Sequence, residues 1–341
     1  MSLVTNAFPF FHELSRRTYP LWSFQQGFDG CRVNSESMHA PPAGASARTA
    51  YLFLTLSSLA FGGTWVAGKL AVSALAPLLI AALRFAIASV LLWGWARTVP
   101  QARPRLAARD LPMVLGLGLT APAGGTLLFV YGLRLAPASD GTIITAGVGP
   151  VLSAALAAIV LRERTGRWAM AGFAAAFLGL LLVIRPGGPQ NPDRLIGDLL
   201  FLASAACWAV YALLGRTATR RFTPVGATFY ATVTATILLL PLAILEHGWG
   251  TLLHAPSAAV IGLLYLAIVG TVVSFVFLFE GINQIGVTRA ASFVLLIPVF
   301  GVSLAALVLG ERVSVMTLAG GALVLLGLWL VQRDSGSVSA S

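Results

Sequence analysis

Arg84 stands seven residues after Pro77 in an apolar run that is otherwise uncharged. Placing a guanidinium in hydrocarbon costs on the order of 2.5–3.5 kcal/mol by insertion scales. At about 1.5 Å per residue it lies roughly 10 Å deep, a depth that lets it reach the nearer headgroups or turn inward to hold an anion such as a carboxylate. Phe61 and Trp208 are ten residues after Tyr51 and Asp198, roughly 15 Å deep. Trp65 (i+4 from Phe61) and Tyr211 (i+3 from Trp208) share their faces, so the two aromatic faces either flank a cavity for an apolar solute or pack helices together. Thr145 and Ser292 precede Pro150 and Pro298 by five and six residues, and their hydroxyls can bond a solute or their own i−4 carbonyl. Tyr265, about 12 Å in from Ser257, brings a phenol to the same depth, for the cavity or for packing. Pro150 and Pro298 each lack an N–H and free a carbonyl, as a hinge, a pocket wall or a plain kink. Glu280, near the end of its run, is the candidate proton carrier, or else a solvated or Arg-paired carboxylate.

Other chemistries find no support. Gly63-Thr64-Trp65-Val66-Ala67-Gly68-Lys69 has the spacing of a phosphate loop, but Leu70 follows instead of Ser or Thr and no strand precedes it. His247 and His254 lack the neighbours a zinc site requires, no serine nucleophile elbow occurs, and Cys31 and Cys207 form no framework. Neither catalytic residues, a metal nor a cofactor are expected.

The elements that must carry these residues follow from composition. The 341 residues are 57% hydrophobic and 10% charged, against roughly 25% charged in a soluble domain, and the mean hydropathy is +0.87. Lipid must therefore act as solvent for much of the chain. Ten apolar runs, at about 51–70, 77–97, 111–135, 139–161, 168–185, 195–215, 224–245, 257–280, 288–309 and 313–332, approach the ~20 residues that cross a bilayer, and none alternates as a strand would. The expected fold is an all-α membrane bundle of ten transmembrane helices.

The net charge of +10 does not mark a nucleic-acid protein, because the basic residues fall between the runs. Of 22 Lys and Arg, Lys69, Arg134, Arg185, Arg194 and Arg312 fall in outer segments and Arg84 within a run, if the N-terminus is inside; the others fall in inner segments. Both termini are thus expected in the cytoplasm. Residues 1–48 lack the order of a signal peptide and read either as a disordered or interfacial tail or as sequence upstream of a start at Met38.

The chain is also duplicated. Gly149-Pro150-Val151, Leu161-Arg162-Glu163-Arg164, Gly172 and Gly179 return as Ile297-Pro298-Val299, Leu309-Gly310-Glu311-Arg312, Gly320 and Gly327. One repeat is expected over 49–190 and another over 191–333, followed by a short polar tail, 334–341. Five helices per copy is an odd number, so the copies should enter the membrane from opposite sides as inverted repeats, an arrangement of carriers that alternate access around a midplane site. Glu163 and Glu311, beside Arg at helix boundaries, are expected to cap helix ends or pair with Arg.

These paired signatures, with Glu280-Gly281-Ile282, Gly286, Arg289-Ala290 and Pro298-Val299-Phe300 in the second half, resemble the drug/metabolite transporter superfamily, EamA type, over about residues 50–332. The resemblance implies a 5+5 bundle exporting small metabolites, amino acids among them. It departs in the first helix, where Phe61-Gly62-Gly63-Thr64-Trp65 replaces a Trp-Gly followed by Asn. The expected protein is a multi-pass secondary transporter of a bacterial inner membrane whose partners are a small solute, the lipid bilayer and, if small-residue faces pair between chains, a second copy. The alternatives are a sugar-phosphate or nucleotide-sugar exchanger, which should need several basic groups in its cavity, and a polytopic sensor or enzyme, which should need a catalytic cluster in the bundle.

Overall fold

A computed structural model describes residues 47–98, 106–160, 166–184, 192–218, 221–246, 248–285, 290 and 292–338. Most of the N-terminal segment, Glu163, His247 and Arg289 lie outside the described residues. All regular structure among the described residues is helical. Ten helices are long and apolar enough to cross a membrane: α1 (Ala47–Val72), α2 (Pro77–Thr98), α3 (Ala108–Leu135), α4 (Ala138–Val160), α5 (Arg167–Ile184), α6 (Pro192–Ala218), α7 (Pro224–Leu245), α8 (Ser257–Ile282), α9 (Ser292–Leu309) and α10 (Val315–Val338). The last of these carries on through most of the expected polar tail.

Proline opens several of them. Pro77, Pro192 and Pro224 are first residues of α2, α6 and α7, where the missing N–H has no partner to lose. Thr223 completes the start of α7 by accepting from the Gly226 N–H at 3.1 Å. Large apolar side chains such as Val90, Ile159, Leu307 and Val315 face outward, as a lipid-solvated perimeter requires.

The helices pair across the two halves. α1 lies along α8 and α9, α6 along α3 and α4, α2 on α7, and α5 on α10. Exchanging each helix for the one five places away returns the same set of pairs. Glycine makes the tightest of these contacts. A Cβ on Gly172 would sit 2.6 Å from the Gly327 carbonyl oxygen, and one on Gly179 would sit 2.6 Å from that of Gly320. The earlier glycine of α5 thus meets the later glycine of α10, so the two helices run antiparallel. Without a hydrophobic drive between helices in lipid, such backbone approach is a main source of association. The duplicated Gly-x6-Gly pattern is spent inside the molecule, on this contact.

Three spans are not regular. π-helical segments occupy Leu119–Gly125 in α3, Thr142–Val148 in α4 and Tyr265–Val273 in α8. In α3 and α8 loosened carbonyls are met by hydroxyls five residues on: Thr126 Oγ1 donates to Ala121 O, Thr271 Oγ1 to Leu266 O and Ser274 Oγ to Val269 O, at 3.4, 2.8 and 2.6 Å. In a dry bilayer these bonds are what make the irregularity tolerable. Pro150, second residue of the α-helical part of α4, directly follows one such segment, which supplies the wider turn that its ring needs. Pro298 differs from the expectation of a mid-helix break. The regular part of α9 starts only at Leu296, after a 3-10 turn over Ser292–Leu295, so the proline falls in a first turn whose N–H groups need no intrahelical acceptor.

Replacing Gly172 with Leu should separate α5 from α10. We expect a loss of about 1–3 kcal/mol, the usual size of overpacking, seen as a lower thermal midpoint in detergent; Gly94→Leu, where added atoms meet open space, should leave the midpoint unchanged.

Candidate functional site

Between the halves lies a cavity of about 690 Å³. Its wall takes Phe61, Thr64 and Trp65 from α1, Arg84 from α2, Thr126 and Phe129 from α3, and Thr145, Pro150 and Ser153 from α4. Trp208 comes from α6, Phe275 from α8, Val294 and Ile297 from α9, and Leu328, Val331 and Gln332 from α10. The space runs from the middle of the bundle toward the end where α4 and α10 finish. No lining residue comes from 136–142 or 192–204, so the cavity stops short of the other end, where a separate crevice of about 370 Å³ lies between Lys69, Leu133, Arg134, Leu309 and Glu311; with respect to the cavity that end is shut.

Arg84 is 9% exposed, and its Nε donates to Thr271 Oγ1 at 3.0 Å. Among the described residues no carboxylate lies within ion-pair distance of it. The π-helical turn of α8 explains the contact: it rotates Thr271 so that its hydroxyl gives its proton to Leu266 O and offers a lone pair to the guanidinium. The remaining guanidinium N–H groups are left for whatever occupies the cavity. The Trp65 indole Nε1 is also buried, and has no hydrogen-bond partner among the described residues. An unmet buried donor costs about 1–3 kcal/mol, so both groups favour an acceptor-rich ligand. The surrounding rings are fixed edge to face: Phe61 on Phe275 at 5.2 Å and Trp65 on Phe129 at 6.1 Å between centroids.

Of the residues singled out in the sequence, the structure gathers Phe61, Trp65, Arg84, Thr145, Pro150 and Trp208 on this one wall. Tyr211, Tyr265, Ser292, Pro298 and Glu280 are not on it. Tyr211 sits behind Trp208, ring to ring at 5.6 Å, and shares a hydrogen bond with Thr228. Tyr265 crosses to α1 and donates to Ala60 O at 3.0 Å, its ring filling the space over Gly63. Ser292 opens the 3-10 turn with an exposed side chain, and Pro298 is buried one place beyond the lining Ile297. Glu280 accepts from Gln284 Nε2 at 2.8 Å on its own helix. Thr145 neither bonds its i−4 carbonyl nor stands free: Oγ1 donates to Phe201 O across the α4–α6 contact at 3.4 Å. Sequence reasoning missed Thr64, Thr126, Phe129, Ser153, Phe275 and Gln332. Phe129 and Phe275 flank π-helical segments, whose register shift hides the ordinary helical face from a sequence pattern.

The shut end is held by charge. Lys69 Nζ donates to Leu133 O at 2.6 Å and Ala136 O at 2.8 Å, closing the end of α3. Glu311 accepts from the Ala138 and Ser139 N–H groups at 2.8 and 3.0 Å, a carboxylate on the positive start of α4. Gly310 makes that reach possible: its φ of 66° ends α9 in the left-handed region, which other residues adopt only with strain. Glu311 is therefore a cap, as its place at a helix boundary suggested; the matching Glu163 lies outside the described residues. Asp140 pairs with Arg194 at 2.7 Å, and Asp198 is wholly buried beside them.

A ten-helix apolar bundle whose halves enclose a solute-sized cavity at mid-depth, mainly apolar with a few polar groups, defines a polytopic membrane protein that handles small solutes. The model of the EamA-like transporter family matches residues 48–185 and 195–333, and the chain belongs to that family. It is 31% identical over 251 residues to the "probable terminal-alkyne amino-acid exporter" of Streptantibioticus cattleyicolor, covering 73% of this chain and 82% of the relative. A Bacillus subtilis protein, "uncharacterized transporter YyaM", is 27% identical over 82% of this chain and 92% of its own. The "probable amino-acid metabolite efflux pump" of Salmonella typhimurium is 27% identical over 79% and 90%. One solved crystal structure shares the fold with a TM-score of 0.54 at 24% identity, covering 84% of this chain and 96% of its own. The protein is a multi-pass protein of the cell membrane, and its family and these relatives carry the names of transporters rather than enzymes.

Removing the Glu311 carboxylate as Glu311→Ala should cost about 1–2 kcal/mol, the range for a lost helix cap and its dipole interaction. Thermal unfolding in detergent measures it, and Glu311→Gln, which keeps one acceptor, should recover part of the loss.

Proposed function

We propose that the chain is a secondary transporter that exports small amphiphilic metabolites bearing a carboxylate, amino acids or their relatives, by alternating access around the central cavity. The observation that carries this reading is the pairing of Arg84 and Trp65 Nε1, two donors without an anionic partner, in a wall otherwise made of aromatic rings and hydroxyls. A carboxylate suits the donors, an apolar side chain suits Phe61, Phe129, Trp208 and Phe275, and Thr64, Thr126 and Ser153 offer acceptors to an ammonium. The names of two relatives, an amino-acid exporter and an amino-acid metabolite efflux pump, point the same way. A sugar-phosphate or nucleotide-sugar exchanger finds less support, since Arg84 is the one cation among the described lining residues.

The two repeats are inverted in this reading. Support comes from the antiparallel meeting of α5 with α10 and from the exchange of helix pairs on moving five places. With the basic residues placed inside, both termini are cytoplasmic, the cavity faces the cytoplasm, and the shut end carrying Lys69, Glu311, Asp140 and Arg194 is the outer gate. Rocking one half on the other along α2–α7 and α5–α10 would expose the same wall to the outside.

In liposomes, Arg84→Gln should lower the flux of carboxylate-bearing amino acids by roughly 10- to 150-fold at low solute, the worth of one charge-assisted hydrogen bond. Flux of the corresponding amino amides should change far less. Equal flux of both through the variant and the unsubstituted protein would remove Arg84 from the site. A phosphatase fused to the C-terminus should stay inactive in cells while a fluorescent protein fused there glows; active phosphatase would reverse the orientation.

A further inference from the structure

The solute cavity leaves one buried ionisable group unused. Asp198, on α6 one turn beyond Arg194, is fully buried, and neither carboxylate oxygen has a hydrogen-bond partner among the described residues. The charges close enough to act on it are those of Asp140 and Arg194. These two already neutralise each other: Arg194 Nη2 lies 2.7 Å from Asp140 Oδ2, and Nε donates to the same oxygen at 2.9 Å. Glu246, at the end of α7, keeps a buried Oε2 without a partner among the described residues but is not one of the charges that act on Asp198. The charged and titratable groups of the described elements packed against α6 are committed or exposed. Lys69 is taken by two carbonyls and Glu311 by two amides, while Asp193 on α6 and Tyr131 and Arg134 on α3 lie at the surface. The described residues of α5 bring none here.

A second negative charge in this cluster would be dry and, among the described residues, without a donor or a free counter-ion, an arrangement that costs several kcal/mol. The neutral acid leaves the cluster with no net charge. We propose that Asp198 is a proton-binding site, loaded while this end of the bundle is packed shut and emptied when the end opens to water. Phe201, three residues along the same face of α6, fills the space over Gly132 and Gly141, where an added Cβ would come within 2.8 and 2.6 Å of its ring. No residue of 192–204 lines the cavity, so Asp198 lies outside it and its proton exchanges with the medium on the closed side. The assignment of that side to the outside rests on the alternating-access reading given above.

Closure then takes up one proton that opening releases. A group neutral in the closed form and ionised in the open one makes acid favour closure and alkali favour opening. The open-to-closed ratio changes by up to about tenfold per pH unit across the range in which the open form is ionised. Infrared spectroscopy of the full chain in liposomes near neutral pH tests the protonation itself. We expect the carbonyl stretch of a protonated carboxylic acid, lost in Asp198→Asn; its absence from the unsubstituted protein overturns the proposal whether or not transport is found. The band without any solute flux would support the proton site and remove the transport reading instead. Spin labels at Ser73→Cys and Leu195→Cys, with Cys31 and Cys207 replaced by Ser, report the opening. The long-distance population should grow with rising pH and become flat with pH in Asp198→Asn. An unchanged pH dependence in Asp198→Asn would overturn the linkage.

Discussion

In a bilayer no water is at hand to complete a backbone hydrogen bond, and this constraint organises the whole molecule. Several breaks from the regular helix have a repair nearby. The π-helical segments of α3 and α8 are mended by hydroxyls five residues on, and the ends of α3 and α4 by Lys69 and Glu311. The repairs also govern where function can sit. Thr126 both mends a π-helical segment and lines the cavity, and Thr271, bonded to Leu266 O, orients Arg84. Irregular backbone and ligand wall are the same residues, because only a polar cavity or a partner helix makes such backbone tolerable.

Association of the helices depends on the same absence of water. Lipid tails solvate Leu as well as another Leu does, so helices hold together through close backbone approach and polar contacts. The glycines of α5 and α10 supply the first, at distances that exclude any larger residue. The second is supplied at the shut end by Lys69, Glu311 and the Asp140–Arg194 pair. The first makes α5 and α10 a seam along one side of the cavity, whose wall takes Leu328, Val331 and Gln332 from α10. A seam made of backbone on backbone can tilt without losing a specific side-chain bond, whereas the charged end must break discrete bonds to open.

The fold was largely legible. Ten runs of bilayer length appear as ten helices; the Gly-x6-Gly pattern was legible only as a repeat signature, and its use as the clasp of α5 on α10 comes from the structure. The site was legible in part. Arg84, Trp65 and Trp208 stood out because charge and large rings at depth are rare, and all three are on the wall. Tyr265 and Tyr211 stood out for the same reason, yet their hydroxyls found backbone or side-chain partners on neighbouring helices. A phenol seeks one bond, and a sequence does not say whether a carbonyl or a solute provides it. The carboxylates were misjudged by depth. Asp140 and Asp198 looked like boundary markers of their runs, since distance along a helix says nothing of what packs over its first turns. In the structure both are buried.

That burial also separates the two ends of the duplicated chain. At the repeat offsets, Asp140, Arg194 and Asp198 have as counterparts Thr288, Ala47 and Tyr51. Tyr51 stacks on Phe293 at 5.7 Å, an apolar contact between α1 and α9 where the other half places its ions between α6 and α4. The duplication has kept the backbone contacts, glycine for glycine and proline for proline, while the chemistry of closure has diverged. An aromatic contact is indifferent to pH and makes no demand on the medium, whereas a buried acid beside a satisfied ion pair can be neutral only by holding a proton. Two ends built on one backbone plan therefore differ in chemistry. Here the charged end gives the medium on its own side a hold on the equilibrium that the aromatic end lacks.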